Sequence, residues 1–392
     1  MNEIDKKALD FHKKYHGKIE VKSKVPLNSA EDLTFAYTPG VAAPCLEIKA
    51  DKDKIYSYTS KGNAVAVVTN GTAVLGLGNI GAGAGLPVME GKAILFKEFG
   101  DVDAYPICVN SLNPGDVIKT VQLIADGFGG INLEDIKAPE CFDIERELQK
   151  TLPVPVFHDD QHGTAIVVAS ALINAFKIVK KNFENVKVVV NGAGAAGMAI
   201  TRLLQSMNTK NIILCDRMGA IYGGRTEDMN PYKKEIAEIT NSKREKGMLV
   251  DVIKGADVFI GVSTAGCLTQ DMVRSMNKDP VVLAMANPLP EIMPDDAKKA
   301  GVRVICTGRS DFPNQVNNLL AFPGIFRGAL DVRASCINLE MKIAAAHAIA
   351  FLVSSDKLCE DFVIPDPFDR RVAPAVAEAV KNAAKTSGVA RI

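Results

Sequence analysis

Residues 3 to 16 place Ile4, Ala8, Phe11 and Tyr15 at spacings of four, three and four, which predicts an amphipathic helix. The next segment, K-I-E-V-K-S-K-V (18–25), alternates apolar and polar side chains and predicts a strand. At 75–87 the chain reads L-G-L-G-N-I-G-A-G-A-G-L-P. Glycine at that density, flanked by Val, Ile and Leu, predicts tight turns and close backbone approach rather than disorder. From 117 onward the period switches repeatedly. V-I-K-T-V-Q-L-I-A (117–125) and D-I-E-R-E-L-Q-K-T-L (143–152) predict helices, with strands at G-G-I-N-L (129–133) and P-V-P-V-F (153–157). T-A-I-V-V-A-S-A-L-I-N-A-F (164–176) predicts a buried helix. A clearer series opens with V-K-V-V-V-N (186–191) and continues through I-I-L-C, D-V-F-I-G-V, V-V-L-A-M-A and V-R-V-I-C-T. Strands alternating with helices predict a parallel, doubly wound sheet over roughly 165–325. The tail, 333–392, predicts helices interrupted by I-P-D-P.

A chain of 392 residues, 47% hydrophobic, exceeds one ordinary core and predicts two domains. Its 46 basic and 46 acidic residues balance. Nucleic-acid binders advertise a basic excess, so the expected partners do not include nucleic acid. The eight cysteines contain no C-x-x-C pair, and Cys215 and Cys306 sit in apolar runs as small buried thiols. That usage fits a reducing compartment. The opening M-N-E-I-D-K-K lacks an apolar signal core, and the apolar stretch 164–176 is short for a bilayer. The expectation is a soluble, cytoplasmic protein with no membrane partner.

After V-K-V-V-V-N comes Gly192-Ala193-Gly194-Ala195-Ala196-Gly197, opening the helix that continues M-A-I-T-R-L-L. The first glycine permits a tight turn, the second lets backbone approach a pyrophosphate, and the third packs helix on strand. A further strand ends in Asp216, 24 residues beyond Gly192, near the offset expected for an acid on the adenosine ribose. A charge there repels a 2′-phosphate and favours NAD, although Arg217 follows immediately and can offset it, leaving NADP open.

V-F-H-D-D-Q-H-G-T-A (156–165) spaces His158 and His162 as a zinc-protease helix would. Pro153 and Pro155 make an extended entry, however, and Gly163 closes the motif before a helix expected near Thr164, so the histidines straddle a turn. Asp159-Asp160 then lie at the carboxyl end of one parallel strand and Glu134-Asp135 at the end of its neighbour. Two such pairs either converge on a hard cation, Mg²⁺ or Mn²⁺, or serve as solvated helix caps.

Taken together, several segments resemble malic enzyme, the oxidative decarboxylase of malate, in its small bacterial form. Y-T-P-G-V-A (37–42) resembles the family's tyrosine motif, and L-G-L-G-N-I-G with P-V-M-E-G-K-A its glycine-rich lysine segment. I-N-L-E-D-I and F-H-D-D-Q-H-G-T-A resemble its metal-ligand stretches; A-N-P-L-P-E and Q-V-N-N-L-L-A-F-P-G resemble its asparagine loops. The resemblance runs roughly from Tyr37 to Leu330. It implies Glu134, Asp135 and Asp160 as metal ligands, with Tyr37 and Lys92 as acid–base pair. It implies Asp159 either as an acid behind the metal ligands or as a proton partner of Lys92, and Asn287, Asn317 and Asn318 beside cofactor or substrate, with Lys92 also touching substrate. A lysine with lowered pKa is the expected proton acceptor.

The implied fold class is α/β, a Rossmann-like doubly wound parallel sheet domain plus an N-terminal α/β metal domain. The expected division is 1–160, 161–330 and helices at 331–392 packing back on the N-terminal part. Ala73 stands where larger relatives carry a substrate-binding arginine; Arg309 is one available replacement. The implied activity converts malate to pyruvate and CO₂ with NAD or NADP and a divalent metal, in a homodimer or larger homo-oligomer. The alternatives are a malolactic enzyme releasing lactate, a Rossmann amino-acid dehydrogenase and a non-catalytic nucleotide sensor.

Overall fold

Parallel strands buried on both faces need near-continuous apolar runs, and the chain supplies them in two separate sets. In the computed structural model residues 3–74 and 76–392 are described; Leu75 of the glycine-rich segment lies outside them. The first sheet holds β1 (Ala64–Thr69), β2 (Asp103–Cys108), β3 (Gly130–Leu133) and β4 (Val156–His158) in the order β2-β1-β3-β4, all parallel. The second holds β5 (Lys187–Asn191), β6 (Asn211–Asp216), β7 (Gly219–Ala220), β8 (Val258–Gly261), β9 (Val281–Ala284) and β10 (Val304–Thr307). Its order is β10-β9-β8-β5-β6-β7, parallel except for β7.

The doubly wound sheet predicted beyond residue 165 is therefore present, with β3 and β4 in the other sheet. The pattern did not reveal β1 and β2. A-V-A-V-V-T (64–69) is buried at every position and so shows no alternation, and it abuts the glycine-rich stretch. The strand expected at 18–25 does not form. Its Lys18 N–H donates to Glu90 Oε2 (3.1 Å) on the helix Ala82–Gly100, and Lys24 Nζ donates to Asp103 Oδ2 (2.9 Å) at the start of β2. The N-terminal helix forms as Glu3–Tyr15, but none of its residues is buried within the chain.

The central helix runs Asp159–Val179, beginning five residues before the expected Thr164. At 21 residues it is long and apolar enough to cross a membrane, so the expected shortness was wrong. It is instead a core helix, with two-thirds of its most apolar window buried. Asn174 on it donates to Ala350 O (2.8 Å) and Val363 O (2.9 Å), tying it to the C-terminal segment. The helices Leu339–Phe351 and Val372–Thr386 complete that segment.

Phe96 lies 4.7 Å from the Phe322 ring and 5.2 Å from Phe326, joining the helices Ala82–Gly100 and Phe322–Asp331 under the first sheet. On its other side Phe322–Asp331 meets Val372–Thr386 so closely that a Cβ on Gly328 would sit 2.4 Å from Ala377 O. Gly328→Ala is therefore expected to lower unfolding stability by about 1–3 kcal/mol in urea titration. Gly127→Ala, which would meet nothing within 4 Å, is expected to move it by no more than about 0.5 kcal/mol.

Candidate active site

Leu133 at the end of β3 pairs with His158 at the end of β4, so Glu134-Asp135 and Asp159-Asp160 leave the first sheet side by side. Asp135 has φ 53°, a left-handed conformation that aspartate enters more readily than most side chains. Its N–H donates to Asp160 Oδ2 at 2.8 Å. One carboxylate oxygen from each of Glu134, Asp135 and Asp160 lies within 4.8 Å of the others. Three convergent, hard, anionic oxygens fit Mg²⁺ or Mn²⁺, and no sulfur or imidazole joins them.

Lys92, buried on the helix Ala82–Gly100, reaches into this group. Its Nζ lies 2.6 Å from Asp159 Oδ2, 2.9 Å from Glu134 Oε1 and 4.2 Å above the centre of the Phe322 ring. Burial alone would lower its pKa, but Asp159 and Glu134 outweigh burial and hold the ammonium above lysine's ordinary range. The expected lowered lysine is thus corrected: Lys92 carries its proton here. Burial pushes Asp159 up to about 7; Lys92 opposes this and Glu134 adds to it. Glu134 is likewise raised to about 7 by burial against Lys92, and Asp160 to about 6. Asn318 from the turn after β10 donates Nδ2 to Asp159 Oδ2. A Cβ on Gly163 would sit 2.0 Å from Asp159 Oδ1, so only glycine lets that carboxylate fold back over its own helical turn.

Because the central helix starts at Asp159, His162 lies in its first turn, and His158 is the residue before it. His158 Nε2 is 3.9 Å from Asp160 Oδ2 and His162 faces Glu145, so the histidines do not form a shared metal site.

Other candidates sit elsewhere. Tyr37 caps the helix Ala30–Ala36 and is 66% exposed; its hydroxyl has no hydrogen-bond partner among the described residues. The contacts of the buried Lys92 are to Asp159, Glu134 and the Phe322 ring, and none is to Tyr37 among the described residues. Asn317 uses its side-chain oxygen to accept the Leu319 N–H (2.9 Å). Asn287 is exposed after β9, beside Gly308 and with its carbonyl 3.2 Å from where a Cβ on Gly76 would stand. Arg309, the available replacement for the arginine missing at Ala73, is paired with Asp311 at 2.8 and 2.6 Å and also donates to Pro288 O (2.8 Å).

At the dinucleotide site Gly192 has φ 122°, and a Cβ there would lie 2.5 Å from Val262 O. Gly194 has open space where a Cβ would be, directly before the helix Ala195–Ser206, and no side chain caps that helix. The turn thus leaves a cradle for a pyrophosphate between Gly192 and Gly197. Asp216 is not a free ribose acceptor. Arg225 donates Nη1 to its Oδ1 at 2.9 Å and pairs through Nη2 with Oδ2, and Lys233 Nζ lies 2.7 Å from Oδ2. Burial opposes ionisation, yet Arg225 and Lys233 hold this carboxyl below its ordinary value. Arg217, the expected offset, is 80% exposed and pairs with Asp228 at 3.3 Å.

Sequence reasoning missed these two cations, and also Asn132, which donates to Glu134 Oε2 at 2.9 Å. It also missed the buried Glu291, which accepts the Ser263 and Ala286 N–H groups (3.0 Å each) and straps together the turns after β8 and β9. Asn132 sits one residue before Leu133 and was legible from its place at a strand end. Arg225 and Lys233 follow Asp216 by nine and 17 residues with no motif to connect them.

Residues 161–385 match the family profile described as "Malic enzyme, NAD binding domain", and 16–116 match "Malic enzyme, N-terminal domain". The chain is 62% identical over 389 residues to the bifunctional malic/malolactic enzyme of Bacillus subtilis, covering 99% of this chain and 95% of that protein. It is 56% identical to the NAD-dependent malic enzyme of Geobacillus stearothermophilus, over 96% of this chain and 78% of that one. The NADP-dependent malic enzyme of Escherichia coli is 51% identical over 99% of this chain, which spans 53% of the relative's length. The crystal structure of malic enzyme from Pyrococcus horikoshii superposes with a TM-score of 0.96 at 49% identity, covering 99% of this chain and 92% of that one.

The raised carboxyls set a pH dependence. Folded Glu134, Asp159 and Asp160 keep protons to about 7, 7 and 6, where unfolded carboxyls release them near 4. The folded chain binds the extra protons, so stability falls as pH rises through those values. His158 and His162, lowered by burial, act in the opposite direction below about 6.5. Metal-free protein should therefore melt at lower temperature at pH 8 than at pH 6.5, and Mn²⁺ should raise the melting temperature most at pH 8. A flat profile indifferent to Mn²⁺ would remove the carboxylate cluster as its cause.

Proposed function

The chain belongs to the malic enzyme family, and from that premise we propose that it oxidises and decarboxylates L-malate to pyruvate and CO₂, using NAD(P)⁺ and a divalent cation. The observation that carries this reading is the Lys92 ammonium held between Asp159 and Glu134, beside the convergent Glu134, Asp135 and Asp160 oxygens. Mg²⁺ or Mn²⁺ held by those three residues would supply Lewis acidity towards the C2 oxygen of malate, and the nicotinamide would accept the C2 hydride.

The chain's own part is proton handling. Lys92 must lose its proton before it can accept one from the C2 hydroxyl. Asp159, 2.6 Å away with a pKa about 7, is the group placed to take it. Asn318 and Gly163 fix that carboxylate so that proton exchange needs no side-chain motion. Loss of CO₂ leaves an electron pair at C3, which an acid must protonate. Tyr37 has that role by resemblance. It lies in the exposed N-terminal stretch whose helices Glu3–Tyr15 and Ala30–Ala36 bury no apolar residue within one chain, an arrangement suited to a homo-oligomer. A malolactic outcome is the second reading, favoured by the bifunctional relative of Bacillus subtilis.

The cofactor reading follows from Asp216. Arg225 pairs with Asp216, Lys233 is shared between Asp216 and Asp228 (2.7 and 3.1 Å), and Arg217 also pairs with Asp228, so a 2′-phosphate would meet less repulsion than Asp216 alone predicts. NADP⁺ is accepted alongside NAD⁺ in this reading. Lys233→Gln is expected to lower kcat/KM for NADP⁺ roughly 10-fold more than for NAD⁺, as loss of a charge-assisted contact would. Equal losses would separate Lys233 from the choice of cofactor.

The direct test mixes protein, L-malate and Mn²⁺ with each cofactor, following reduced nicotinamide, pyruvate and lactate. Pyruvate equal to reduced cofactor, abolished by EDTA, is expected; lactate without reduced cofactor would select the malolactic outcome. Asp160→Asn is expected to cut this turnover roughly 100-fold or more while NADPH binding, read by fluorescence, is retained. Full activity in that variant would take Asp160 out of the metal site.

A further inference from the structure

The two histidines of the 156–165 segment have no part in the chemistry above, yet one of them is wired into the fold. His162 Nε2 lies 3.0 Å from Glu145 Oε1 and 3.1 Å from Oε2, and its Nδ1 lies 3.0 Å from Nζ of Lys342. Glu145 comes from the helix Glu140–Thr151 and Lys342 from Leu339–Phe351. The buried Glu145 carboxylate also accepts the His158 N–H (3.0 Å) and Gln161 Nε2 (3.0 Å). One anion thus grips the chain immediately before and immediately after Asp159-Asp160.

The direction of the hydrogen bonds follows from the donors. An ammonium only donates, so Nδ1 of His162 accepts from Lys342, its ring proton sits on Nε2, and Nε2 donates to Glu145. Lys342 thereby answers the buried charge of Glu145 through the imidazole. An isolated buried carboxylate is costly, and apolar side chains would fill the same space at no such cost. The polar chain is explained by where it ends. Asp159 and Asp160 start a helix, where their carboxylates would ordinarily turn back to cap the free N–H groups. Here both point away, to Lys92 and to Asp135. Glu145 supplies the anion at the helix start in their place, a position the helix dipole favours.

We propose that Glu145, His162 and Lys342 form a positioning relay, which holds the Asp159-Asp160 turn so that Asp160 faces the metal site and Asp159 faces Lys92. The proposal rests on the divalent-metal reading above. It also gives the C-terminal segment a part in the chemistry, since Asn174 anchors that segment to the central helix and Lys342 is the charge it delivers. A cavity of about 360 Å³, lined by Glu145, Gln161, His162, Lys342, Arg146 and Arg202, borders the relay and leaves room beside the imidazole.

The test uses the full-length protein with Mn²⁺ as the probe, comparing Lys342→Met, Lys342→Arg and His162→Gln with the parent. Free Mn²⁺ is read by electron paramagnetic resonance, NADPH binding by fluorescence, and stability by melting temperature. Lys342→Met and His162→Gln are expected to weaken Mn²⁺ binding and lower kcat at saturating Mn²⁺ by about 10–100-fold, with NADPH affinity preserved. Lys342→Arg should restore most of both. The relay is overturned if Mn²⁺ affinity and kcat stay within about twofold of the parent. It is equally overturned if Mn²⁺ and NADPH affinities fall together with the melting temperature, since the residues then hold the fold as a whole. A parent that takes up no Mn²⁺ would instead defeat the metal reading. The relay would still be judged on metal-free protein by the ¹⁵N shifts of the His162 ring: an unprotonated Nδ1 that changes in Lys342→Met supports it, and a protonated Nδ1 in the parent overturns it.

Discussion

A single buried ammonium answers a group of buried carboxylates, and much of the surrounding structure follows from that imbalance. Lys92 Nζ contacts Asp159 and Glu134, while Asp135 and Asp160 complete the acidic group beside them. Charges in a low-dielectric site are tolerated only when partners and hydrogen-bond donors are fixed around them. Four elements must therefore meet: the helix bearing Lys92, the ends of β3 and β4, and the turn carrying Asn318. Burial raises three of these carboxyls, and the single ammonium opposes that shift without overcoming it. A divalent cation, in the reading proposed above, would add positive charge beside the convergent Glu134, Asp135 and Asp160 oxygens.

The same demand explains the small residues and odd turns nearby. Gly163 yields its Cβ space to Asp159, and Asp135 adopts a left-handed backbone that lets its N–H meet Asp160. Asn132 and Asn318 each donate to a carboxylate already paired with Lys92. Asn318 arrives from the chain after β10, so the chain leaving the dinucleotide sheet contacts the Lys92–Asp159 pair of the other sheet directly. In the proposed reaction this contact would set hydride acceptor and proton acceptor in one frame, which is how a bound geometry lowers the entropic part of a barrier.

At the far end of the cofactor site charge balance works the other way. Asp216 occupies the ribose position by spacing, but Arg225 pairs with it and Lys233 is shared between it and Asp228. An acid read alone from a fingerprint gives the sign of one residue; the potential at the ribose is the sum over its neighbours.

What the sequence determined by itself is local. Apolar period and strand-to-helix punctuation located β3, β4 and the strands beyond 186, and the glycine spacing located the pyrophosphate turn. The acids at strand ends were legible because parallel strands deliver their carboxyl ends to one edge. Fully buried β1 was not legible, since a strand covered on both faces has no alternation to detect. The segment 18–25 alternated yet formed no strand, because alternation produces a strand only where a neighbouring edge accepts its backbone. Tertiary structure alone decided the protonation of Lys92, the pairing of Asp216, the tether on His162 and the exposure of Tyr37. The first three depend on groups from nine to 180 residues apart meeting within hydrogen-bond distance, and electrostatic energy depends on that distance and on burial, neither of which is written in any stretch of sequence.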